Sequence, residues 1–304
     1  MINVHKHNGL TWVDLEAPTV AEVRQIMEEY KINSLVADEL LSPTLKSKVD
    51  LYPDFIYLIL HFPALKHTHS GDSNQEIDFI IGRDFIITTR YDTIDPLHKF
   101  SKVFEVNSIL DRGNLGDHAG FIFFHMVRKL YRALEHELEY IDDSLKAIEE
   151  KIFSGKEKEV VYEIALLSRQ LLNFHQATSA HREVLESFEE AGRKFFGQEF
   201  FYYLRGITGE YFRTDNRIKS IKESLQALKE TNDSLLTTRQ SEIMKVLTIM
   251  AFVTFPLSLI ASILSMNTDY LPIVGYPNDF WIVMGIMALA TLSFFVFFRY
   301  KKWL

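Results

Sequence analysis

The sequence of 304 residues contains no cysteine. Disulfide bonds and thiolate sites for zinc or iron–sulfur clusters are therefore excluded, and any bound metal must have oxygen or imidazole ligands. The sequence also has no Gly-x-x-x-x-Gly-Lys phosphate loop and no recognised catalytic spacing of Ser, His and Asp. We therefore expect neither ATP hydrolysis nor another enzymatic activity, and no cofactor is indicated. Because the first residues are polar, we expect no cleavable signal peptide.

Charge is nearly absent from two segments near the C-terminus. Residues 244–266 contain one charged side chain, Lys245, and residues 280–298 contain none. Apolar runs of about 20 residues match the ~30 Å hydrocarbon core of a bilayer. The sequence therefore predicts a membrane protein with two C-terminal spans behind some 240 largely soluble residues. Two helices cannot enclose a pathway by themselves, so any transport requires an oligomer.

Positive charge is also absent from the loop between the two runs. Residues 267–279 contain Asp269 and Asp279 but no Lys or Arg, whereas the tail after the second run contains Arg299, Lys301 and Lys302. Cytoplasmic loops carry an excess of Lys and Arg. We therefore expect both termini in the cytoplasm and the loop outside the cell, in a cell membrane crossed twice.

Residues 1–116 predict a cytosolic α/β domain. Asn8-Gly9 predicts a hairpin turn, and helical spacing of apolar residues predicts helices at 19–30 and 34–41. Three runs rich in Phe, Ile, Thr and Tyr predict strands. These runs span residues 55–63, 76–82 and 84–91, with a hairpin turn at 82–84.

The remainder of the chain is predicted to be helical. Residues 117–198 predict an antiparallel helical pair, with helices at 117–153 and 157–190 that turn at Ser154-Gly155. No proline interrupts the chain between Phe195 and Pro256, so residues 199–266 are predicted to form one stalk helix that continues into the first span. The predicted order is completed by the external loop 267–279, the second span 280–298 and the basic tail 299–304. The fold class is thus an α+β membrane protein.

One face of the first predicted span carries small and hydroxyl side chains. Heptad spacing places Ser241, Thr248, Phe255 and Ser262 on this face, which also includes Met244, Ala251, Ser258 and Ser265. Small and hydroxyl residues commonly line helix contacts in membranes, so the pattern is compatible with helix packing as well as with a pore lining. Upstream, Glu230 and Asp233 fit either acidic rings at a pore mouth or an ordinary solvated helix face.

Several segments together resemble one known family. Residues 239–248 (RQSEIMKVLT), Pro256, the Ser265-Met266-Asn267 motif and the C-terminal KKWL resemble the CorA family of divalent-cation (magnesium) channels. Upstream, FIYLILHFP with the EIDFIIGRDFIITTR hairpin resembles the cytosolic α/β domain of that family, and RQLLNFHQATSAHREVL resembles its helical region. The resemblance covers nearly the whole chain.

The resemblance implies a homopentamer with a funnel-shaped cytosolic body, in which the first span lines the pore. It implies that Ser241 lies at the pore entrance, that Met244, Leu247 and Phe255 form a hydrophobic gate, and that Ser258 contributes a hydroxyl ring. Thr248 and Ser262 would also line the pore. Ser265-Met266-Asn267 matches the external selectivity motif Gly-Met-Asn of the family, with serine in place of glycine.

The implied substrate is a divalent cation, with Mg²⁺ the leading candidate. Asn267 would contact the ion through its hydration shell, and Asp269 and Asp279 would concentrate cations outside. The expected partners are further copies of the chain, membrane lipid and divalent cations, and no nucleic acid. One alternative is a Zn²⁺, Co²⁺ or Ni²⁺ transporter of the same fold. Another is a two-span sensor or scaffold without flux, which predicts a dimer.

Overall fold

The computed structural model describes residues 1–64, 74–110, 116–266 and 277–301. The chain divides into two compact units, Met1–Leu228 and Lys229–Leu304. The elements, in chain order, are β1 (Ile2–His7), β2 (Leu10–Glu16), α1 (Val20–Tyr30), α2 (Ser34–Glu39), β3 (Lys48–Leu51), β4 (Ile56–Phe62), β5 (Gln75–Ile81), β6 (Phe85–Arg90), α3 (Asp95–Leu110), α4 (Gly120–Phe153), α5 (Val161–Thr178), α6 (His181–Phe196), α7 (Phe201–Leu264) and α8 (Asp279–Tyr300).

The first elements follow the local signals in the sequence. The β1–β2 hairpin turns at Asn8 and Gly9, which adopt φ angles of 45° and 77°, as a tight turn with two left-handed residues requires. Helix α1 begins at Val20 rather than at Thr19, because Thr19 is its N-cap. The backbone N–H of Thr19 donates to Oε2 of Glu22 at 2.8 Å, which completes a capping box. Helix α2 ends at Glu39, two residues before its predicted end.

The strands form one six-stranded sheet in the order β1-β2-β6-β5-β4-β3. All neighbours are antiparallel except β2 and β6, which run parallel. Strands β4, β5 and β6 confirm the three predicted runs, and β5 and β6 are joined by the predicted hairpin at residues 82–84. Strand β3 was not predicted. It is a four-residue edge strand, paired within the described residues with β4 alone, and its sequence, KVDL, is too short for a periodic signal.

The two faces of the sheet are covered by different helices. One face packs against α1 and α2 in a core that includes Val13, Val23, Val36 and Tyr57. On the other face, the ring of Phe79 lies 5.1 Å from that of Phe123 in α4. Helix α3, which was not predicted, places Phe100 and Phe104 5.6 and 5.8 Å from the Trp12 ring.

The predicted helical pair is in fact a set of three helices. Helix α4 ends at Phe153 and the chain turns at Ser154-Gly155 as predicted, but the predicted helix 157–190 is wrong because α5 ends at Thr178 and α6 begins at His181. His181 is fully buried beside this break. Its Nε2–H donates to the carbonyl oxygen of His61 at 2.7 Å, and its Nδ1 accepts from the Tyr131 hydroxyl at 2.7 Å. These long-range bonds fix the chain where no Gly or Pro marks a break.

Burial makes His181 a source of acid sensitivity. Desolvation lowers the pKa of His181 from its ordinary value of 6.5 to about 4. A base with a lowered folded-state pKa stabilises the fold above its unfolded pKa, and that contribution is lost as pH falls from about 6.5 towards 4. We expect His181 to cause a fall of about 2 kcal/mol in the free energy of unfolding between pH 7 and pH 5.

The measurement is denaturant unfolding of the full chain in detergent at both pH values. A His181→Gln variant should lose most of this pH dependence. A His136→Gln variant should keep it, because the His136 side chain is 81% exposed. If both variants retain the wild-type pH dependence, His181 is not its source.

Candidate functional site

Two helices of the described chain are long and apolar enough to cross a membrane, α7 and α8. Helix α7 is continuous over 64 residues and runs through Pro256 without a break. It thus joins a charged N-terminal part to the apolar part, as the absence of proline between Phe195 and Pro256 predicted. Helix α8 spans 22 residues. The protein is therefore a membrane protein with two spans near its C-terminus.

Each apolar helix has one partly covered face. Half-buried residues in α7 recur every three or four positions, as do those in α8. From residue 249 onwards those in α7 are Ile249, Val253, Pro256, Leu257, Ile260 and Leu264. Those in α8 are Val283, Met287, Ala290 and Phe294, followed by the buried Phe298. Phe252 of α7 and Phe298 of α8 line one cavity, so the two helices lie side by side.

The hydroxyl-bearing face of α7 lies on the other side of the helix, about 180° away at 3.6 residues per turn. Met244, Leu247 and Phe255 are 56%, 55% and 74% exposed. Ser241, Ser258 and Ser262 are exposed too, and Thr248 is half-buried. Packing against α8 therefore does not use this face. Within one chain it remains available to a second copy or to a water-filled path.

Hydroxyl groups on this face bond to their own helix. The Thr248 hydroxyl donates to the carbonyl oxygen of Met244 at 2.7 Å. The Ser265 hydroxyl donates to the carbonyl oxygen of Ser262 at 3.2 Å. Such bonds satisfy the hydroxyl proton without a partner helix. These two hydroxyl groups therefore need no acceptor on another helix in order to lie in an apolar environment.

The predicted selectivity motif begins at the end of α7. Helix α7 ends at Leu264, and the backbone N–H of Ser265 still donates to the carbonyl oxygen of Ala261 at 3.1 Å. Met266 is 55% exposed. Asn267 and Asp269, the predicted hydration-shell ligand and one of the two external acids, lie outside the described residues.

The remaining predicted acids occupy helices. Asp279 is the first residue of α8, and its Oδ1 accepts from the backbone N–H of Phe280 at 2.6 Å. A carboxylate at a helix N-terminus is favourable with or without a nearby cation. Glu230 and Asp233 are exposed on α7, three residues apart and so on one side of the helix. Their placement fits both interpretations given for them above.

A polar cavity of about 600 Å³ lies within the first unit, at the ends of β4, β5 and β6. On its wall, the Glu76 carboxylate accepts from the backbone N–H of Thr44 at 2.6 Å, and Nε2 of His61 lies 3.0 Å from Oε2 of Glu76. Burial alone would lower the pKa of His61, but its bonds to Glu76 and to the Thr44 carbonyl raise it above the ordinary value. This pair holds the loop before β3 against the sheet. No local pattern in the sequence predicts this pair, because His61 and Glu76 are 15 residues apart.

The described residues form no metal centre. Among residues 1–64, 74–110, 116–266 and 277–301, no group of three or more His, Asp or Glu side chains is placed to hold a metal ion. A cation that meets this protein along the hydroxyl-bearing face would therefore encounter hydroxyl, thioether and apolar side chains. That chemistry suits an ion that keeps its water shell.

Comparison with known proteins identifies the family. A family model described as CorA-like Mg²⁺ transporter protein matches residues 7–302. Two proteins named cobalt/magnesium transport protein CorA are similar to this chain. That of Thermotoga maritima is 25% identical over 296 residues, covering 97% of this chain and 83% of that protein. That of Methanocaldococcus jannaschii is 24% identical over 302 residues, covering 97% and 92%.

The fold agrees with this family. The solved structure described as the complete CorA magnesium transporter from Methanocaldococcus jannaschii matches with a TM-score of 0.85 at 23% identity. The match covers 97% of this chain and 92% of that chain. It includes the α/β part, the long helix and the two apolar helices. Because the family model spans nearly the whole sequence, the chain belongs to the CorA family.

Proposed function

We propose that this protein carries hydrated divalent cations, Mg²⁺ foremost, across a cell membrane as a homopentamer with both termini in the cytoplasm. The observation that carries the proposal is the hydroxyl-bearing face of α7, which is left uncovered on the side away from α8. Copies of α7 arranged around an axis would line a path with this face. Membership of the CorA family and the names of its relatives support the same function.

The selectivity step is assigned to the Ser265-Met266-Asn267 segment. Mg²⁺ gives up its water reluctantly and prefers octahedral oxygen coordination. A ring of Asn267 amides and backbone carbonyls would hydrogen-bond the water shell without replacing it. Asp269 and Asp279 would raise the local concentration of cations outside the membrane, an effect that needs no specific geometry.

The gate is assigned to Met244, Leu247 and Phe255. Apolar constrictions close a pore by excluding water when the helices tighten. A divalent ion that moves through 100 mV gains roughly 4.6 kcal/mol, at ~2.3 kcal/mol per charge. The membrane potential therefore suffices to drive uptake once the constriction is wet. Glu230 and Asp233 would face the ion on the cytosolic side of this gate.

One experiment distinguishes the proposed function from two alternatives. The relatives named above carry cobalt as well as magnesium in their names, so Co²⁺, with Zn²⁺ and Ni²⁺, is the alternative within the class. A two-span sensor without flux is the alternative from another class. The test is uptake of Mg²⁺, Co²⁺ and Zn²⁺ into proteoliposomes at −100 mV, together with the mass of the purified assembly. Mg²⁺ uptake by a pentamer supports the proposal, and a dimer without flux contradicts it.

A polar substitution in the gate should open a leak. We expect Leu247→Asn to raise Mg²⁺ uptake under closed-state conditions by about tenfold, which corresponds to a fall of about 1.4 kcal/mol in the barrier. The reason is that an amide holds water in the constriction. Proteoliposome uptake is again the measurement. Leu292→Asn, the same change at an exposed position of α8, is the control and should leave the rate unchanged.

A further inference from the structure

A second cavity lies in the membrane-spanning part of the chain, between α7 and α8. It has a volume of about 470 Å³ and is lined by Phe252, Ser293, Phe294, Phe297 and Phe298. Phe298 is only 3% exposed and forms its floor. We name this cavity the phenylalanine groove. On α7 the groove is lined by Phe252, which lies one turn from Thr248 and from Phe255 at the edge of the hydroxyl-bearing face, and its other lining residues belong to α8.

The chemistry of the groove selects an apolar occupant. Four of its five lining side chains are phenylalanine rings. The fifth, Ser293, donates its hydroxyl proton to the carbonyl oxygen of Leu289 at 2.8 Å. The groove therefore offers no free hydrogen-bond donor to a ligand. A polar molecule would lose its bonds to water on entry and gain none in return, whereas a hydrocarbon chain loses nothing.

Two lysines mark one end of the groove. Lys245 precedes Phe252 by seven residues, which is two turns, and so lies on the same side of α7. Lys301 follows Phe297 and Phe298 by four and three residues and continues the same side of α8. Both side chains therefore extend from the same end of the groove. Within the described part of the chain, neither lysine forms an ion pair.

We propose that the phenylalanine groove binds one acyl chain of an anionic phospholipid, whose phosphate lies between Lys245 and Lys301. Lysines near the ends of spanning helices extend towards the membrane surface, where anionic headgroups lie. An apolar groove with two cations at one end, neither of them ion-paired among the described residues, matches a molecule with a hydrocarbon chain and one negative headgroup. Free phosphate lacks the chain, and a zwitterionic lipid lacks the net charge. The site does not depend on whether the protein conducts ions.

The attraction of a basic side chain to an anionic membrane surface predicts how much lipid affinity is lost when a lysine is removed. At about 1 kcal/mol per lysine, loss of one lysine should weaken binding about fivefold and loss of both about 30-fold. Affinity for phosphatidylcholine should not change. Arg299 provides a matched control, since it lies at the same end of α8 but, two residues before Lys301, on the opposite side of the helix.

The test titrates the purified full-length assembly in detergent with phosphatidylglycerol and with phosphatidylcholine of the same chain length, and counts bound lipid by native mass spectrometry. Lys245→Gln/Lys301→Gln should bind phosphatidylglycerol about 30-fold more weakly than wild type. Arg299→Gln should bind it as wild type does. Glycerol phosphate, which carries the headgroup charge without the chain, should not displace the bound lipid.

A second variant tests the groove itself. Ser293→Phe fills the cavity and should abolish tight lipid binding, whereas Thr291→Phe, whose native hydroxyl is likewise bonded to its own helix but lies outside the cavity, should not. The proposal is overturned if the double lysine variant binds phosphatidylglycerol within twofold of wild type. It is also overturned if Ser293→Phe has no effect, or if the assembly binds no lipid because a neighbouring copy fills the groove.

Discussion

An Asn267→Ala variant is expected to take up Mg²⁺ into proteoliposomes about 100-fold more slowly than the wild-type protein. In the proposed pentamer, five amides hydrogen-bond the water shell of the arriving ion. A net hydrogen bond contributes about 0.5–1.5 kcal/mol, so the loss of several raises the barrier by about 2.7 kcal/mol even when water replaces some of them. The measurement is the initial rate of uptake at a fixed membrane potential.

Asn278→Ala is the matched control for this variant. Asn278 ends the same loop and is the N-cap residue of α8, yet its side chain makes no capping hydrogen bond. Its removal should leave uptake unchanged. If Asn267→Ala takes up Mg²⁺ within twofold of wild type while the assembly stays intact, the amide ring is not the selectivity step.

The second large effect concerns stability. Arg90→Met is expected to lower the free energy of unfolding by about 3–5 kcal/mol, because it leaves a buried carboxylate without its cation. Nη2 of Arg90 lies 3.0 Å from Oδ2 of Asp14 and 3.0 Å from Oε2 of Glu16, and the Arg90 side chain is only 4% exposed. Thr88 adds a hydroxyl that donates to Asp14 at 2.8 Å.

Denaturant unfolding of the full chain in detergent, followed by circular dichroism, measures this loss. Lys146→Met is the control, since it removes a cation that pairs with Asp142 and Asp143 at the protein surface. Surface pairs contribute little because water screens them, so this variant should unfold like wild type. Equal stability of Arg90→Met and wild type would show that the buried pair is dispensable.

Much of the fold could be predicted because its signals are local. The hairpin at Asn8-Gly9 follows from turn chemistry, and the turn at Gly155 from a glycine that adopts a φ of 89°. The spans follow from the length of their apolar runs, and the continuity of α7 as far as Pro256 follows from the absence of proline before that residue. Helix α3 had such a signal too, with Pro96 in its first turn and Phe100 and Phe104 at helical spacing, but the segment was not assigned.

The rest of the fold depends on contacts between residues far apart in sequence. The break between α5 and α6 is held by His181, whose partners His61 and Tyr131 lie 120 and 50 residues away. The buried Arg90–Asp14 pair crosses 76 residues. No window of sequence contains both members of such a pair. Local propensity can therefore indicate a helix over residues 157–190 where tertiary bonds interrupt it.

The candidate site likewise has one part that could be predicted from local sequence and one part that depends on contacts between helices. Heptad spacing alone identified the hydroxyl-bearing face of the first span, including Ser258 and Ser262. Spacing could not decide between packing and a path, because both need small polar side chains on one face. The position of α8, which covers the side carrying Val253 and Ile260, excludes packing of the hydroxyl-bearing face against α8 and leaves contact with a second copy or an ion path. The phenylalanine groove depends on both helices at once and had no signal in either sequence.

In the proposed pore, the bonds that Thr248 and Ser265 make to their own helix would have a consequence for the sign of the permeating charge. A hydroxyl that has given its proton to a carbonyl shows only lone pairs to its surroundings. Water around a cation turns its hydrogens outward, and these hydrogens meet acceptors on such a wall. Water around chloride turns its oxygens outward and finds no donor there. Anions would thus be rejected without any fixed negative charge inside the bilayer.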